Sequence, residues 1–364
     1  MKLAILQTRL SPYFVACLRE FKQQTGAELL IYAWPNQPNA PFDSRAFADL
    51  GKVFNRYEYS NKAILNQLLA FSPSAVLTSG WKDKGYVGIC RRLKSQGIPI
   101  IAGCDTQWKG SWRQHIASCI APFHVQKFID ILWVTGERQR YLAQGLGFDG
   151  DRCWDGYYAC DWNAFATQPK CTTSQQHPYF LYVGRYVPEK GLDTLAAAYQ
   201  AYCEQVQEPW LLVCAGSGPL GDRLISAGAK DKGFVQPKDL PALMQGASAF
   251  VLPSRSEPWG VVVQEAAASG LPLILSDACG AGVHLLRSYH NGFRFPHGSI
   301  MGLTQALKAM HLLKPEQRLA YGQASYELSK QYTPQRWTKT LLEGLQQLSS
   351  RTKVKLTVEI GSRE

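Results

Sequence analysis

Short apolar runs recur along both halves of the chain, each followed by a stretch of helical spacing, and this alternation leaves few fold classes open. In the first half the runs are 3–7, 29–34, 75–79, 99–103 and 131–135; in the second, 179–184, 210–215, 234–235, 249–253 and 272–276. Helical spacing falls between them, at 13–25, 61–70, 85–96, 137–145 and 192–207. Apolar runs separated by helices are strands of parallel sheets covered on both faces. A chain of 364 residues exceeds one ordinary core, so two α/β domains are expected. The polar run 168–177 marks the boundary, giving an N-terminal Rossmann-like domain over 1–170 and a second over 171–332. A break at Tyr332-Thr333-Pro334 sets off a helix over 333–350, expected to return to the first domain, and 351–364 reads as a polar tail. Two doubly wound domains of this kind face a central cleft and bind ligands at strand C-termini.

The segment 256–272 carries the most chemistry. An apolar strand ends at Pro253, and Glu257 follows in the loop; Glu265 stands about two turns into the Ala-rich helix beyond. Between them the amides near Gly260 and Val261 open the helix and suit an anion. Two carboxylates flanking a phosphate cradle match a ligand with hydroxyls at both ends and phosphate between, as in a nucleotide-sugar. A glycosidase-type acid/base pair is the other reading, but a Glu two turns deep is poorly placed to meet a sugar carbon. The second domain opens with Gly184-Arg185-Tyr186-Val187-Pro188-Glu189-Lys190-Gly191, a strand end followed by two cations. Arg185 offers a planar fork and Lys190 a point charge for a departing diphosphate.

Composition limits the partners. The net charge of +11 favours acidic ones, but no Lys/Arg run or recognised motif points to nucleic acid. A nucleotide diphosphate, a phosphorylated acceptor or an anionic membrane surface fits equally, so peripheral membrane association is compatible with the charge. Ten scattered cysteines without C-x-x-C or zinc spacing read as reduced thiols of a cytoplasmic protein. The first apolar run is too short for a signal-peptide core, and no run approaches a membrane span.

The chain resembles the retaining glycosyltransferases of family 4 (group 1), which have the GT-B fold. The resemblance rests on Gly184-Arg185 with Lys190-Gly191, Ala215-Gly216-Ser217-Gly218-Pro219, Gly233-Phe234-Val235, and the Glu257/Glu265 motif through Gly270-Leu271-Pro272. A weaker echo is Asp161-Trp162-Asn163-Ala164-Phe165. It is strong over 178–298; the N-terminal half matches in layout only. The resemblance implies that Arg185 and Lys190 hold the donor diphosphate and Glu257 the sugar hydroxyls. Glu265 would take the ribose hydroxyls, and the amides at Gly260 and Val261 the distal phosphate. Gly184, Gly216, Pro258 and Trp259 line the same donor site, with Val235 and Leu240 beside the base. It also implies no metal and no cofactor, cations and helix dipole serving instead. Catalysis would fall to Glu257, Arg185 and Lys190, with Asp105 of the first domain as a further catalytic candidate. A hexose-type unit would pass from a UDP- or GDP-sugar to a hydroxyl of a glycan or lipid-linked acceptor.

Two departures concern the first domain. Asp105 stands at a strand end where relatives often carry histidine; it contacts the donor, orients the acceptor, or caps a following turn. The first strand runs into Gln7-Thr8-Arg9-Leu10-Ser11-Pro12 without the usual glycines, so either the loop keeps its distance from the donor or Arg9 supplies a contact. Ser11 reads equally as a helix cap before Pro12. Trp108 and Lys109 are candidate acceptor contacts. Gly216-Ser217-Gly218-Pro219-Leu220-Gly221 matches a dinucleotide fingerprint but follows the domain's second strand. Asp149-Gly150-Asp151 reads as a polar turn, and His284 and His290 as surface or packing residues. The rival readings are a GT-B-like epimerase or phosphorylase, and a non-catalytic nucleotide-sugar-binding protein.

Overall fold

The computed structural model describes residues 1–35, 47, 49–167 and 178–361, with side chains as far as 350. The chain divides into two compact units. The first takes the described residues up to Tyr158 together with those from Pro334 onward, and the second takes Ala159–Thr333.

The first unit holds seven parallel strands: β1 (Lys2–Gln7), β2 (Glu28–Ala33), β3 (Lys52–Asn55), β4 (Ala75–Thr78), β5 (Ile100–Cys104), β6 (Ile131–Val134) and β7 (Cys153–Trp154). Their order is β3-β2-β1-β4-β5-β6-β7, the doubly wound arrangement, with the reversal between β1 and β4. Strands β4 and β6 are buried at every residue, as continuous apolar runs covered on both faces should be. The helix Pro334–Gly361 packs against the helix Pro12–Thr25. Its Trp337 lies in an aromatic stack, 4.8 Å from the Trp133 ring and 5.9 Å from Phe14, with Nε1 donating to the Tyr157 carbonyl.

The second unit repeats the plan with β8 (Tyr179–Val183), β9 (Leu211–Ala215), β10 (Lys230–Asp231), β11 (Ala249–Leu252), β12 (Leu273–Ser276) and β13 (Gly292–Phe295). The order β10-β9-β8-β11-β12-β13 puts its reversal between β8 and β11. All the pairings are parallel.

Several expectations need correcting. Residues 234–235 are not a strand; the third strand is Lys230–Asp231, and Gly233 with φ 64° turns the chain before Phe234. The polar run 168–177 lies outside the described residues, and the units part earlier, at Tyr158. Ala159–Thr167 joins the second unit because Phe165 is buried there, Trp162 Nε1 donates to Ser329 Oγ and the Thr167 amide to the Ala268 carbonyl. The last helix does not end at 350. Beyond Ser350 no Pro or Gly interrupts the sequence until Gly361, and the helix runs to that residue. Ser11 stands at the N-cap before Pro12, yet its hydroxyl makes no cap bond. Asp105 is no cap either, since Ser111 and Gln114 form the capping box of the helix Trp112–Ile120. No disulfide joins the described cysteines, most of which are buried.

Candidate functional site

In a doubly wound sheet the ligand crevice opens where strand order reverses, beyond the strand C-termini. In the second unit that place lies between the loops leaving β8 and β11, and three contacts bind the two loops. The amides of Arg255 and Ser256 donate to the Glu189 carbonyl, at 2.8 and 3.2 Å. Gly191, at φ 68°, passes so close to Pro253 that a Cβ would lie 2.2 Å from its carbonyl oxygen. Lys190 Nζ pairs with Glu257 Oε2, the two side chains being 14 and 11% exposed. Arg255 adds an outer pair with Asp193 at 2.5 Å, in the first turn of the helix Leu192–Cys203.

The basic loop is held from below. Tyr186 is buried; its hydroxyl donates to Asp231 Oδ1 at 2.7 Å and its amide to the Ser217 carbonyl at 2.8 Å. The Gly184 amide donates to Ala215, and the Tyr182 hydroxyl to the Arg185 carbonyl. With its backbone fixed in this way, Arg185 keeps an exposed side chain. The Gly216 amide donates to the Gly233 carbonyl at 2.8 Å, so the loops leaving β9 and β10 share the same rim. Val235 is half-buried on it, and Leu240, buried, opens the helix Leu240–Gln245.

The loop after β11 is equally fixed. Glu257 and Cys279 form a parallel bridge, the Gly280 amide donates to the Glu257 carbonyl, and the Ala281 amide to that of Trp259. Trp259 is buried against His284 and Tyr332, each ring centroid 5.5 Å away. His284 is thus a packing residue, whereas His290 is exposed. Gly260, at φ 94°, caps the helix Val261–Ala268 without a side-chain bond; the Val263 amide donates to the Gly260 carbonyl at 3.0 Å, and no cap side chain takes the amides of Val261 and Val262. Partly buried Glu265 sits in this helix with no side-chain hydrogen bond or ion pair among the described residues. Burial, and then the nearby Asp161 carboxylate, push it up to about 7.

These arrangements bring Gly184, Arg185, Lys190, Gly216, Val235, Leu240, Glu257, Pro258, Trp259, Gly260, Val261 and Glu265 onto one unit, at or near the C-terminal edge of its sheet. Residues 166–328 match the family described as glycosyl transferases group 1. It is to that family that the second unit is similar. The group 1 match spans the zipped loops, the open helix start and both glutamates. Glycogen synthase of Mycobacterium tuberculosis is 31% identical over 164 residues, which are 43% of this chain and 38% of the relative. Mannosylfructose-phosphate synthase of Agrobacterium fabrum is 33% identical over 111 residues, 26% of this chain and 24% of that one. The chain thus spans well under half the length of these curated relatives. Likeness in fold extends further. Anabaena HepE in complex with UDP matches with a TM-score of 0.73 at 16% identity, covering 95% of this chain and 100% of that one. Sucrose-phosphate synthase of Thermosynechococcus elongatus matches with 0.74 at 16%, covering 96% and 100%. The two Rossmann-like sheets are those of the GT-B fold.

Asp105, Arg9, Trp108 and Lys109 belong to the first unit. Exposed Asp105 follows β5 and accepts from the Tyr158 hydroxyl at 3.1 Å. Burial, with Tyr13 and Asp105 beside it, pushes that phenol well above its usual range. Tyr13 packs edge-on to Tyr158, and Gln7 Nε2 donates to the Tyr157 hydroxyl. Sequence reasoning missed this tyrosine cluster; the tandem Tyr157-Tyr158 was its one signal. Trp108 packs on the first unit's core and edge-on to His115, so its ring is engaged in packing. Lys109 is exposed, its amide bonded to Gln114, and Arg9 is exposed too. Asp149 precedes the short turn Gly150–Arg152 and Asp151 is its middle residue.

Proposed function

We propose that the chain is a retaining, metal-independent hexosyltransferase that takes a UDP- or GDP-sugar as donor and a hydroxyl of a glycan or lipid-linked molecule as acceptor. The observation that carries this reading is the Lys190–Glu257 pair at the β8/β11 reversal, beside the open start of the helix that bears Glu265. UDP in the HepE complex, whose fold this chain shares, supports a nucleotide donor.

In this reading the diphosphate takes its charge-assisted contacts from Arg185, Lys190 and the Gly260 and Val261 amides. Glu257, held by Lys190, accepts from the donor-sugar hydroxyls, and Glu265 accepts from the ribose hydroxyls. The bond between anomeric carbon and phosphate oxygen breaks as the acceptor oxygen bonds to the same face of that carbon. The acceptor proton passes to the leaving phosphate oxygen. Negative charge grows on the phosphate in the transition state, so Arg185 and Lys190 act mainly on rate.

The test is release of nucleoside diphosphate from a panel of UDP- and GDP-sugars, with and without glycan acceptors, in the presence of EDTA. Release that needs added divalent metal would sink the metal-independent part. Product of inverted anomeric configuration would sink retention. No thermal shift with any nucleotide at millimolar concentration would count against the donor site itself.

A further inference from the structure

The helix Trp112–Ile120 of the first unit is turned inside out. Its half-buried residues are Gln114, Ala117 and Ser118. Its apolar ones face solvent: Trp112, Ile116 and Ile120 are 67, 51 and 50% exposed, and Phe123 in the next turn is 79% exposed. Spacing of four keeps Trp112, Ile116 and Ile120 on one face. The inward face is used locally, with Gln114 completing the capping box, donating to the Gln107 carbonyl and accepting from the Lys109 amide. Burial of the unit's own core therefore does not account for the apolar stripe, and such exposed patches mark interaction surfaces.

Charge identifies the occupant. No residue between Asp105 and Asp130 is acidic, whereas Lys109, Arg113 and Lys127 lie in that stretch, all exposed. The Arg113 guanidinium rests 5.4 Å from the Trp112 ring centroid. An aromatic and aliphatic stripe whose own segment carries cations and no acidic residue is complementary to an anionic headgroup layer over hydrocarbon. We propose that the face formed by Trp112, Ile116, Ile120 and Phe123, with Arg113 and Lys127 flanking it, docks the protein on an anionic lipid bilayer. The docking stands apart from the transfer reading. A further point, that the acceptor is membrane-anchored, rests on that reading, because the helix follows the loop that leaves β5 at Asp105.

Flotation of the full chain with phosphatidylcholine vesicles, with and without phosphatidylglycerol, tests it. Binding should require phosphatidylglycerol and fall with added salt. The variant Trp112→Ser/Phe123→Ser should lose roughly tenfold or more in partition, and Arg113→Glu/Lys127→Glu should lose the preference for anionic lipid. Both should keep the wild-type melting temperature and the thermal shift with nucleotide, which separates lost docking from misfolding. Wild-type flotation by the Trp/Phe variant, or none by the native chain, overturns the proposal. So does a dimer in sedimentation that this variant abolishes while vesicles bind neither protein, since the face would then join two copies. Docking without detectable transfer would sink only the membrane-anchored acceptor.

Discussion

In the second unit the loops on either side of the strand reversal are bound together by a carboxylate–ammonium pair, two backbone bonds and a glycine pressed against a carbonyl. In the first unit the equivalent loops, leaving β1 and β4, meet through hydroxyls. The Thr8 amide donates to Ser79 Oγ, and that hydroxyl to Thr8 Oγ1. Beside them Tyr157 fills the space over Gly103, where a Cβ would lie 1.9 Å from its ring. The same strand order thus supports two kinds of surface, one joined by a charged pair and preorganised, the other an aromatic cluster with Arg9 and Asp105 beside it. Topology chooses where a site lies, and loop chemistry chooses what it does.

The sharpest way to break this comparison is to remove one member of the ion pair. Lys190→Ala or Glu257→Ala leaves its partner partly buried and uncompensated, and should cost about 3 kcal/mol in urea unfolding and on the order of 100-fold in turnover. The double variant should regain most of the stability and none of the rate. Thr8→Val in the first unit removes only a neutral hydroxyl contact and should cost about 1 kcal/mol. Equal losses in both units would mean that the charged pair is an ordinary loop contact.

Gly191→Ala extends the test to backbone packing. Its Cβ would meet the Pro253 carbonyl at a positive φ, so about 2–3 kcal/mol should be lost along with donor binding. Gly26 has nearly the same φ, 62°, but nothing within 4 Å of an added Cβ. Gly26→Ala should therefore cost about 1 kcal/mol and leave donor binding intact. Thermal melts of the two variants, with and without nucleotide, separate close approach from φ alone.

The second unit was the more legible in sequence for the same reason that it is the more charged. A site made by short loops on strand ends writes itself as local motifs, and Arg185, Lys190, Glu257 and Glu265 lie in two such stretches. The first unit's cluster joins Gln7 and Tyr13, Asp105, and Tyr158 from three separated segments, with no fixed spacing to read. Among strands, the buried ones appeared as apolar runs, while the edges did not. Lys52–Asn55 and Lys230–Asp231 are short and polar or exposed, and Gly292–Phe295 carries Arg294 in its middle. The helix Trp112–Ile120 was not among the helical stretches read from the sequence, and only the structure shows that its apolar stripe faces outward.

Glu265 gives a pH test that the first unit does not share. Its native value of about 7 lies above the unfolded 4.5, because burial and then Asp161 disfavour the anion. Between those values the native state holds a proton that the unfolded chain has released. The contribution is thus full below pH 4.5 and lost as pH rises through 7. Allowing for partial exposure, on the order of 2 kcal/mol should disappear across that window. Glu265→Gln should flatten this part of the stability–pH curve, and Asp161→Asn should move it to lower pH. Nucleotide affinity should change the other way, strengthening as the carboxylate ionises to accept ribose hydroxyls. A Glu265→Gln curve parallel to that of the native protein would remove Glu265 as the titrating group.

The smallest effect is expected where the Asp105 carboxylate meets the first unit's aromatic cluster. Tyr158→Phe deletes the bond to Asp105 and leaves the edge-on packing with Tyr13 in place, so stability should fall by no more than about 1 kcal/mol. If Asp105 only needs orienting, turnover should drop severalfold with donor affinity unchanged, and Asp105→Asn, which can still accept from the phenol, should bind donor normally. If Asp105 acts as a charge toward the donor, Asp105→Asn should instead change donor affinity while Tyr158→Phe leaves it unaltered. Measuring kcat and KM for both variants assigns the first unit either a positioning role or a share in donor binding.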